Sequence, residues 1–313
     1  MGGIERIVFF GTPAFAVPAL EALVASGRAP ALVVTQPARP AGRGRRLLEP
    51  PVAEAARRLA VPVEAVARVG AAEFLDRLGA LAPDLAVVVA FGQIFPRALL
   101  ELPRLGCLNV HASLLPRWRG AAPIAAAIAA GDARTGVSIQ RMEEGLDSGP
   151  VYAERATPIG EHESAGELSG RLARIGSELL IEVLTELERG GREPTPQDES
   201  LATRAPKLTG VRLLDPGLSA AALARQVRAF NPEPGTALLV RDERIKVIEA
   251  EAPEERSAAP PGTLLAIPGE ALALAAGGGS VLRLILVQRP GGRPISGRDL
   301  ANGLRLTPGE RLH

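Results

Sequence analysis

Residues 84–92 read DLAVVVAFG. Leu85 through Phe91 are apolar without a break, and valine fills three of those places. A strand with one wet face alternates; an unbroken run needs cover on both faces, the condition of a strand inside a parallel sheet. Similar runs lie to either side: RIVFF (6–10) and ALVVTQP (31–37) upstream, GCLNVH (106–111) downstream. Between them stand helical patterns, PAFAVPALEALVASG (13–27), EPPVAEAARRLA (49–60), AAEFLDRLGAL (71–81) and a further one from Pro96. Alternation of this kind predicts an open, mostly parallel, Rossmann-like α/β sheet with helices on both faces.

Farther out, Ser164 and Glu167 have the spacing of a capping box. Leu168, Leu172, Ile175, Leu179, Val183 and Leu187 form a helical stripe, which Gly190 and Gly191 end. The polar, proline-bearing GGREPTPQDES (190–200) then reads as the start of a linker over 191–208. Beyond it the texture changes. One helix, SAAALARQVRAF (219–230), precedes the short runs TALLV, RIKVIEA, GTLLAI, ALALAA and SVLRLILV, separated by Gly, Pro or Asp. Five or so short strands predict a small, OB-like β-barrel over 209–313. The chain's 313 residues suffice for two such domains, each with its own core.

Composition narrows the function. Net charge is +1, so a nucleic-acid contact must come from a local patch. Lys207 and Lys246 are the only lysines. The single cysteine, Cys107, excludes an internal disulfide and a Cys-based zinc site, and suits a reducing compartment. The first residues, MGGIERIVFFGTP, lack the apolar core of a signal peptide, and AAPIAAAIAA (121–130) is too short to span a bilayer. A cytoplasmic protein with no membrane partner is expected. No G-x-G-x-x-G or Walker lysine is present, and the histidines are not clustered, so neither dinucleotide chemistry nor a metal is expected.

Chemistry concentrates in LNVHASLLPRWRGAAP (108–123). Asn109 and His111 are two apart on a strand and share a face, about 7 Å from each other along the chain. They stand at a strand's carboxyl end, where open α/β sheets bind ligands. An amide donor beside an imidazole is equipment for stabilising a carbonyl oxygen that becomes an alkoxide. An isolated N-x-H is equally what a turn cap and a satisfied buried histidine look like. Asp147, in MEEGLDSGPVY, is either a turn residue or the carboxylate that orients His111. The segment PARPAGRGRRLLEPP (37–51) sets Arg39, Arg43, Arg45 and Arg46 against one acid, Glu49. It reads either as a solvated, glycine-loosened loop or as a phosphate grip at the binding edge.

N-x-H-x-S-L-L-P-x-W-R-G followed by G-L-D-S-G resembles the 10-formyltetrahydrofolate-dependent formyltransferases. FFGTPAFAVPAL (9–20), TQPARPAGRGRRLLEPPV (35–52), RLGCLNVHASLLPRWRGAAPI (104–124) and RAFNPEPG (228–235) extend the likeness over nearly the whole chain, towards the branch that acts on methionyl-tRNA. The resemblance implies a formyltransferase catalytic domain over 1–190 and a tRNA-binding barrel over 209–313. It places the catalytic roles on Asn109, His111 and Asp147, and folate binding on Ser113, Leu114, Leu115 and Pro116. Arg39, Arg43, Arg45, Arg46 and Lys207 become tRNA contacts. The implied donor is 10-formyltetrahydrofolate and the implied acceptor the α-amine of methionine on initiator tRNA. No metal, no covalent enzyme intermediate and a monomer are expected. Rivals within the same chemistry are transfer to a small amine and hydrolysis of the formylfolate; a binding module without turnover is the rival outside it. Two departures stand out. Ala112 replaces the usual glycine or proline, and KLTGVRLLDPGLS (207–219) replaces an acidic, tryptophan-containing segment.

Overall fold

The computed structural model describes residues 3–41, 46–191, 193–266, 269 and 271–312. They divide into two compact units. The first comprises the chain up to Pro123 together with Arg134–Pro158 and Ser169–Pro206; the second takes in Ile124–Ala133, Ile159–Leu168 and the chain from Lys207 on.

In chain order the elements up to residue 206 are β1 (Ile7–Gly11), α1 (Val17–Ala25), β2 (Leu32–Thr35), β3 (Arg39–Ala41), β4 (Arg46–Leu48), α2 (Pro51–Arg58), β5 (Val63–Ala65), α3 (Ala72–Leu81), β6 (Leu85–Val89) and α4 (Arg97–Leu100). There follow β7 (Cys107–His111), β8 (Arg119–Gly120), α5 (Pro123–Ala130), β9 (Arg134–Arg141), β10 (Val151–Pro158), α6 (Ala165–Glu188) and β11 (Arg204–Ala205). Among the described residues the main sheet of the first unit runs β10-β9-β7-β6-β1-β2-β5. Five neighbouring strands, β5 through β7, are parallel. β9 and β10 then turn antiparallel, against β7 and against each other.

Every residue of β1 and β6 is buried, as their unbroken apolar runs require. On one face Val8, Phe10, Ala86, Val88 and Cys107 pack with Phe74, Phe91 and Phe95. Phe10 meets Phe91 and Phe95 edge-on, at centroid distances of 5.4 and 4.9 Å, the arrangement the ring quadrupoles favour. Cys107 is part of this apolar core, and burial pushes its thiol up to about 12. On the other face α6 buries Leu172, Leu179, Leu180, Val183 and Leu184. It approaches the sheet closely at Gly176, where an added Cβ would lie 2.8 Å from Val110 and 3.2 Å from Val137. The capping box at the start of α6 forms: the Glu167 carboxylate accepts from Ser164 N at 2.9 Å, and Glu167 N donates to Ser164 Oγ at 3.3 Å.

The second unit adds β12 (Arg212–Leu213), α7 (Ala220–Ala229), β13 (Thr236–Val240), β14 (Glu243–Glu251), β15 (Leu264–Ala266), β16 (Leu272–Ala276), β17 (Ser280–Gln288), β18 (Pro294–Ser296) and α8 (Gly297–Leu304). Its strands run β12-β13-β14-β17-β16-β15, with β18 on β17. All pairs are antiparallel except β12 with β13. Ile245, Val247 and Ala250 of β14 and Leu282, Leu284 and Val287 of β17 enter one core with Leu223, Val227 and Leu300 from the helices. The step of three in each strand coincides with two offsetting register shifts between Val247 and Ala250, an irregularity of the kind by which a barrel-like sheet departs from flat pairing. The atypical 207–219 segment is built into this unit, with β12 on β13 and Leu214 in the core. Among the described residues no helix is long and apolar enough to cross a membrane.

Two outcomes follow from the packing. Gly176→Leu drives a side chain into Val110 and Val137 and should destabilise by about 1–3 kcal/mol, read as a lower urea midpoint at unchanged m. Cys107 should resist iodoacetamide at pH 8 until the protein is unfolded. The unfolded thiol ionises near its ordinary 9.0, whereas the folded one keeps its proton to about 12. This contribution to stability is therefore complete below pH 9 and falls as pH rises through that window.

Candidate active site

β7 lies where the sheet changes from parallel to antiparallel. Asn109 is opposite Val88 of β6 on one side and Gln140 of β9 on the other, and His111 is opposite Ser138. Directly opposed residues share a face, so Asn109, His111, Ser138 and Gln140 form a polar patch past the end of the Cys107 core. His111, Ser138 and Gln140 are buried, Asn109 half-buried.

Asp147 reaches this patch from the GLDSG turn between β9 and β10. Its Oδ2 accepts Gly120 N at 2.8 Å. Its Oδ1 accepts Gln140 Nε2 at 3.0 Å and Asn109 Nδ2 at 3.3 Å, and lies 3.7 Å from His111 Nδ1. The other ring nitrogen, Nε2, is 3.0 Å from the Trp118 carbonyl. A carbonyl only accepts, so Nε2 carries a proton and Nδ1 is the nitrogen that faces Asp147. The structure thus brings Asn109, His111 and Asp147 together. Asp147 (φ 50°) and Trp118 (φ 62°) both occupy the left-handed region, which a non-glycine residue holds only where its surroundings over-determine it.

The turn after β7 hooks back onto β9. Ser113 Oγ donates to Arg117 O at 2.6 Å, and Leu115 N donates to Ser138 Oγ at 3.0 Å. Ser138 Oγ is 2.7 Å from both Ser113 O and Glu154 Oε1. Ser113 is fully buried and its hydroxyl serves the turn itself; Leu114 and Pro116 keep part of their surface exposed. The Arg117 guanidinium stacks 4.3 Å from the centre of the Trp118 ring.

The polar segment expected to be a linker is more than a tether. Thr195 exchanges two 2.8 Å backbone hydrogen bonds with Val151, and β11 pairs with β8. Thr203 Oγ1 accepts Trp118 N at 2.8 Å. Gln197 Nε2 donates to the carbonyls of Asp147 (2.8 Å) and Gly149 (2.6 Å). Its own carbonyl takes Arg119 Nε and an η nitrogen at 3.0 and 2.8 Å. Arg119 also forks onto both oxygens of Glu199 at 2.8 and 2.7 Å, and this bond holds the Glu199 carboxyl below its ordinary range.

The flanks of the arginine segment pair as an antiparallel hairpin of β3 and β4. Arg39 is exposed and donates to Gln36, whose Nε2 in turn donates to Phe91 O at 2.6 Å. Arg46 begins β4; Arg43 and Arg45 lie outside the described residues. Lys207 is exposed and belongs to the second unit. Among the described residues no three His, Cys, Asp or Glu side chains are grouped as a metal would need.

The family model for formyl transferase matches residues 5–184, and that for the formyl transferase C-terminal domain matches residues 214–305. The chain belongs to the formyl transferase family. It is 50% identical to the methionyl-tRNA formyltransferase of Halorhodospira halophila, over 97% of this chain and 98% of that one. To the methionyl-tRNA formyltransferase of Methylococcus capsulatus it is 46% identical, over 98% and 99%. The solved structure of WlaRD, a sugar 3N-formyl transferase, shares the fold at a TM-score of 0.67 and 14% identity, covering 92% of this chain and 98% of that one. Other members of the site of this formyl transferase escape a reading of the sequence. Gln140 shows itself only through the β7–β9 register, and Gln197 only through a tertiary contact. The donors and acceptors at Gly120 N and Trp118 O are backbone atoms.

Gly120 sits at φ 122°, where an added Cβ would be 2.6 Å from Ala205 O. Gly120→Ala should therefore pull its N–H off Asp147 and lower kcat for formyl transfer on the order of 100-fold, while circular dichroism stays native.

Proposed function

We propose that this formyl transferase moves the formyl group of 10-formyltetrahydrofolate onto the α-amine of methionine esterified to initiator tRNA. The convergence of Asn109, His111 and Asp147 carries the reading of the chemistry. The full-length likeness to methionyl-tRNA formyltransferases supports the acceptor. The free amine attacks the formyl carbon directly, and the carbonyl π electrons move onto oxygen. Asn109 has a second amide hydrogen to offer that oxyanion. His111, taking on Nδ1 the proton released by the attacking nitrogen, becomes a cation beside the new charge, with Asp147 Oδ1 compensating it. Asp147 and His111 then pass that proton to N10 of the folate as the oxyanion re-forms the carbonyl and the C–N10 pair leaves onto nitrogen. The products are the formylated amine and tetrahydrofolate. No enzyme nucleophile is needed, which agrees with the only thiol being buried in the core.

Leu114, Leu115 and Pro116 form the wall on which the donor rests, with Ser113 fixing their turn from beneath. The β3–β4 hairpin follows β2, and in this reading Arg39, Arg43, Arg45 and Arg46 contact the acceptor end of the tRNA. Lys207 and the unit over 209–313 supply further contacts. Arginine suits the task because its planar fork matches phosphate oxygens.

Incubation with labelled 10-formyltetrahydrofolate and either charged initiator tRNA or free methionine tests the reading: label should enter only the charged tRNA. Equal transfer to free methionine removes the RNA half of it, and release of formate alone points to a hydrolase. Asn109→Ala and His111→Ala should each lower kcat on the order of 100-fold or more. Replacing Arg39 or Arg46 should reduce the slope of log affinity against log salt by about one unit for each phosphate no longer neutralised.

A further inference from the structure

We propose that Gln197, held by Arg119, is a positioning residue that sets the Asp147 carboxylate, so that the 195–205 segment is a working part of the catalytic centre. The inference rests on the reading of Asp147 as the proton-carrying carboxylate. Four observations support it. The Gln197 amide spans the GLDSG turn, donating to the carbonyls of Asp147 and Gly149 at 2.8 and 2.6 Å. Asp147 is left-handed at φ 50°, a conformation that relaxes unless its neighbours hold it. Gly149 is pinned as well, since a Cβ there would be 1.8 Å from Arg141 O. Finally, the Gln197 carbonyl is fixed by two N–H groups of a buried Arg119, which also forks onto Glu199.

The geometry makes the relay close on itself. Arg119 lies between Trp118, whose carbonyl binds His111 Nε2, and Gly120, whose N–H binds Asp147 Oδ2. One residue therefore anchors, through its own backbone neighbours, both partners of the His111–Asp147 pair. Through its side chain and Gln197 it anchors the turn that carries Asp147. Gln197 touches Asp147 only at the backbone, so it acts on the position of the carboxylate rather than on substrate.

Gln197→Glu keeps the carbonyl-type acceptor for Arg119 but loses the amide donors and sets a carboxylate against two carbonyls. Gln197→Met keeps the length and loses everything polar. Each should lower kcat on the order of 10- to 100-fold and leave KM for both substrates within about threefold. In an Asp147→Asn background the same substitutions should cost less than about threefold, because the group they position is already gone. The chain's three histidines allow an arm that needs no turnover. In ¹⁵N–¹H spectra, with His111 assigned by His111→Asn, the His111 Nδ1 resonance should shift in Gln197→Glu while Nε2 stays. Two results overturn the proposal: folded variants with wild-type kcat and an unmoved Nδ1, or an equal loss in the Asp147→Asn background. Failure of the wild-type chain to formylate methionyl-tRNA would defeat the proposed function instead, and would leave the spectral arm readable.

Discussion

The carboxylate of Asp147 is mostly shielded from water, yet donors from three separate stretches of chain end on it: Asn109 from β7, Gln140 from β9 and the backbone of Gly120. A hydrogen bond to a charged group is worth about 1.5–3 kcal/mol. Left-handed backbone at a non-glycine residue costs about 1–3 kcal/mol. Several such bonds outweigh the strain at Asp147, so the turn keeps its place against β7 and β9. The same bonds fix the mutual placement of β7, β9 and the Trp118–Gly120 turn. A site built this way is organised before substrate arrives, which is the condition for electrostatic stabilisation without reorganisation.

The change of strand direction at β7 is what makes that convergence possible. In a wholly parallel sheet each strand's neighbours deliver their carboxyl ends to the same rim, and β9 would reach it by its last residues only. Running antiparallel, β9 passes the rim partway along, presents Gln140 and Ser138 beside Asn109 and His111, and hands the chain to the GLDSG turn immediately after. Ser138 holds the turn that follows His111, and Gln140 holds Asp147. Two successive inward residues of one strand thus serve the two sides of the site.

How much of this was legible in the sequence depended on the range of the interaction concerned. Asn109 and His111 could be paired because a strand's period of two is local, and β1, β2 and β6 could be read as strands because unbroken apolar runs have one common explanation. The α6 stripe and its Ser164–Glu167 cap were legible for the same reason. Gln140 was not, since an antiparallel register is set by contacts between strands and leaves no mark within either. Gln197 and Thr203 were hidden by composition: a polar, proline-bearing stretch looks like a tether unless something is known to bind it. The β3–β4 hairpin was missed because glycine and arginine content speaks of solvation, whereas the pairing of Arg39 with Leu48 depends on both flanks at once. In the second unit the five strands β13 to β17 were legible; the short β12 and β18 and the register shifts between Val247 and Ala250 were not.

Cys107 shows why proximity in sequence is a poor guide to chemistry here. It stands two residues before Asn109 and shares its side of β7, yet packs among Phe10, Val88 and Phe91 with its thiol held protonated by burial. Between Cys107 and Asn109 the environment passes from apolar core to hydrogen-bonded rim within about 7 Å. The same gradient accounts for Ser113, whose hydroxyl is spent on Arg117 O. The polar groups at this rim are either committed to the scaffold or grouped around Asp147. Asn109, at the outer end of the gradient, is the one of these side chains that keeps part of its surface exposed while bonded to Asp147.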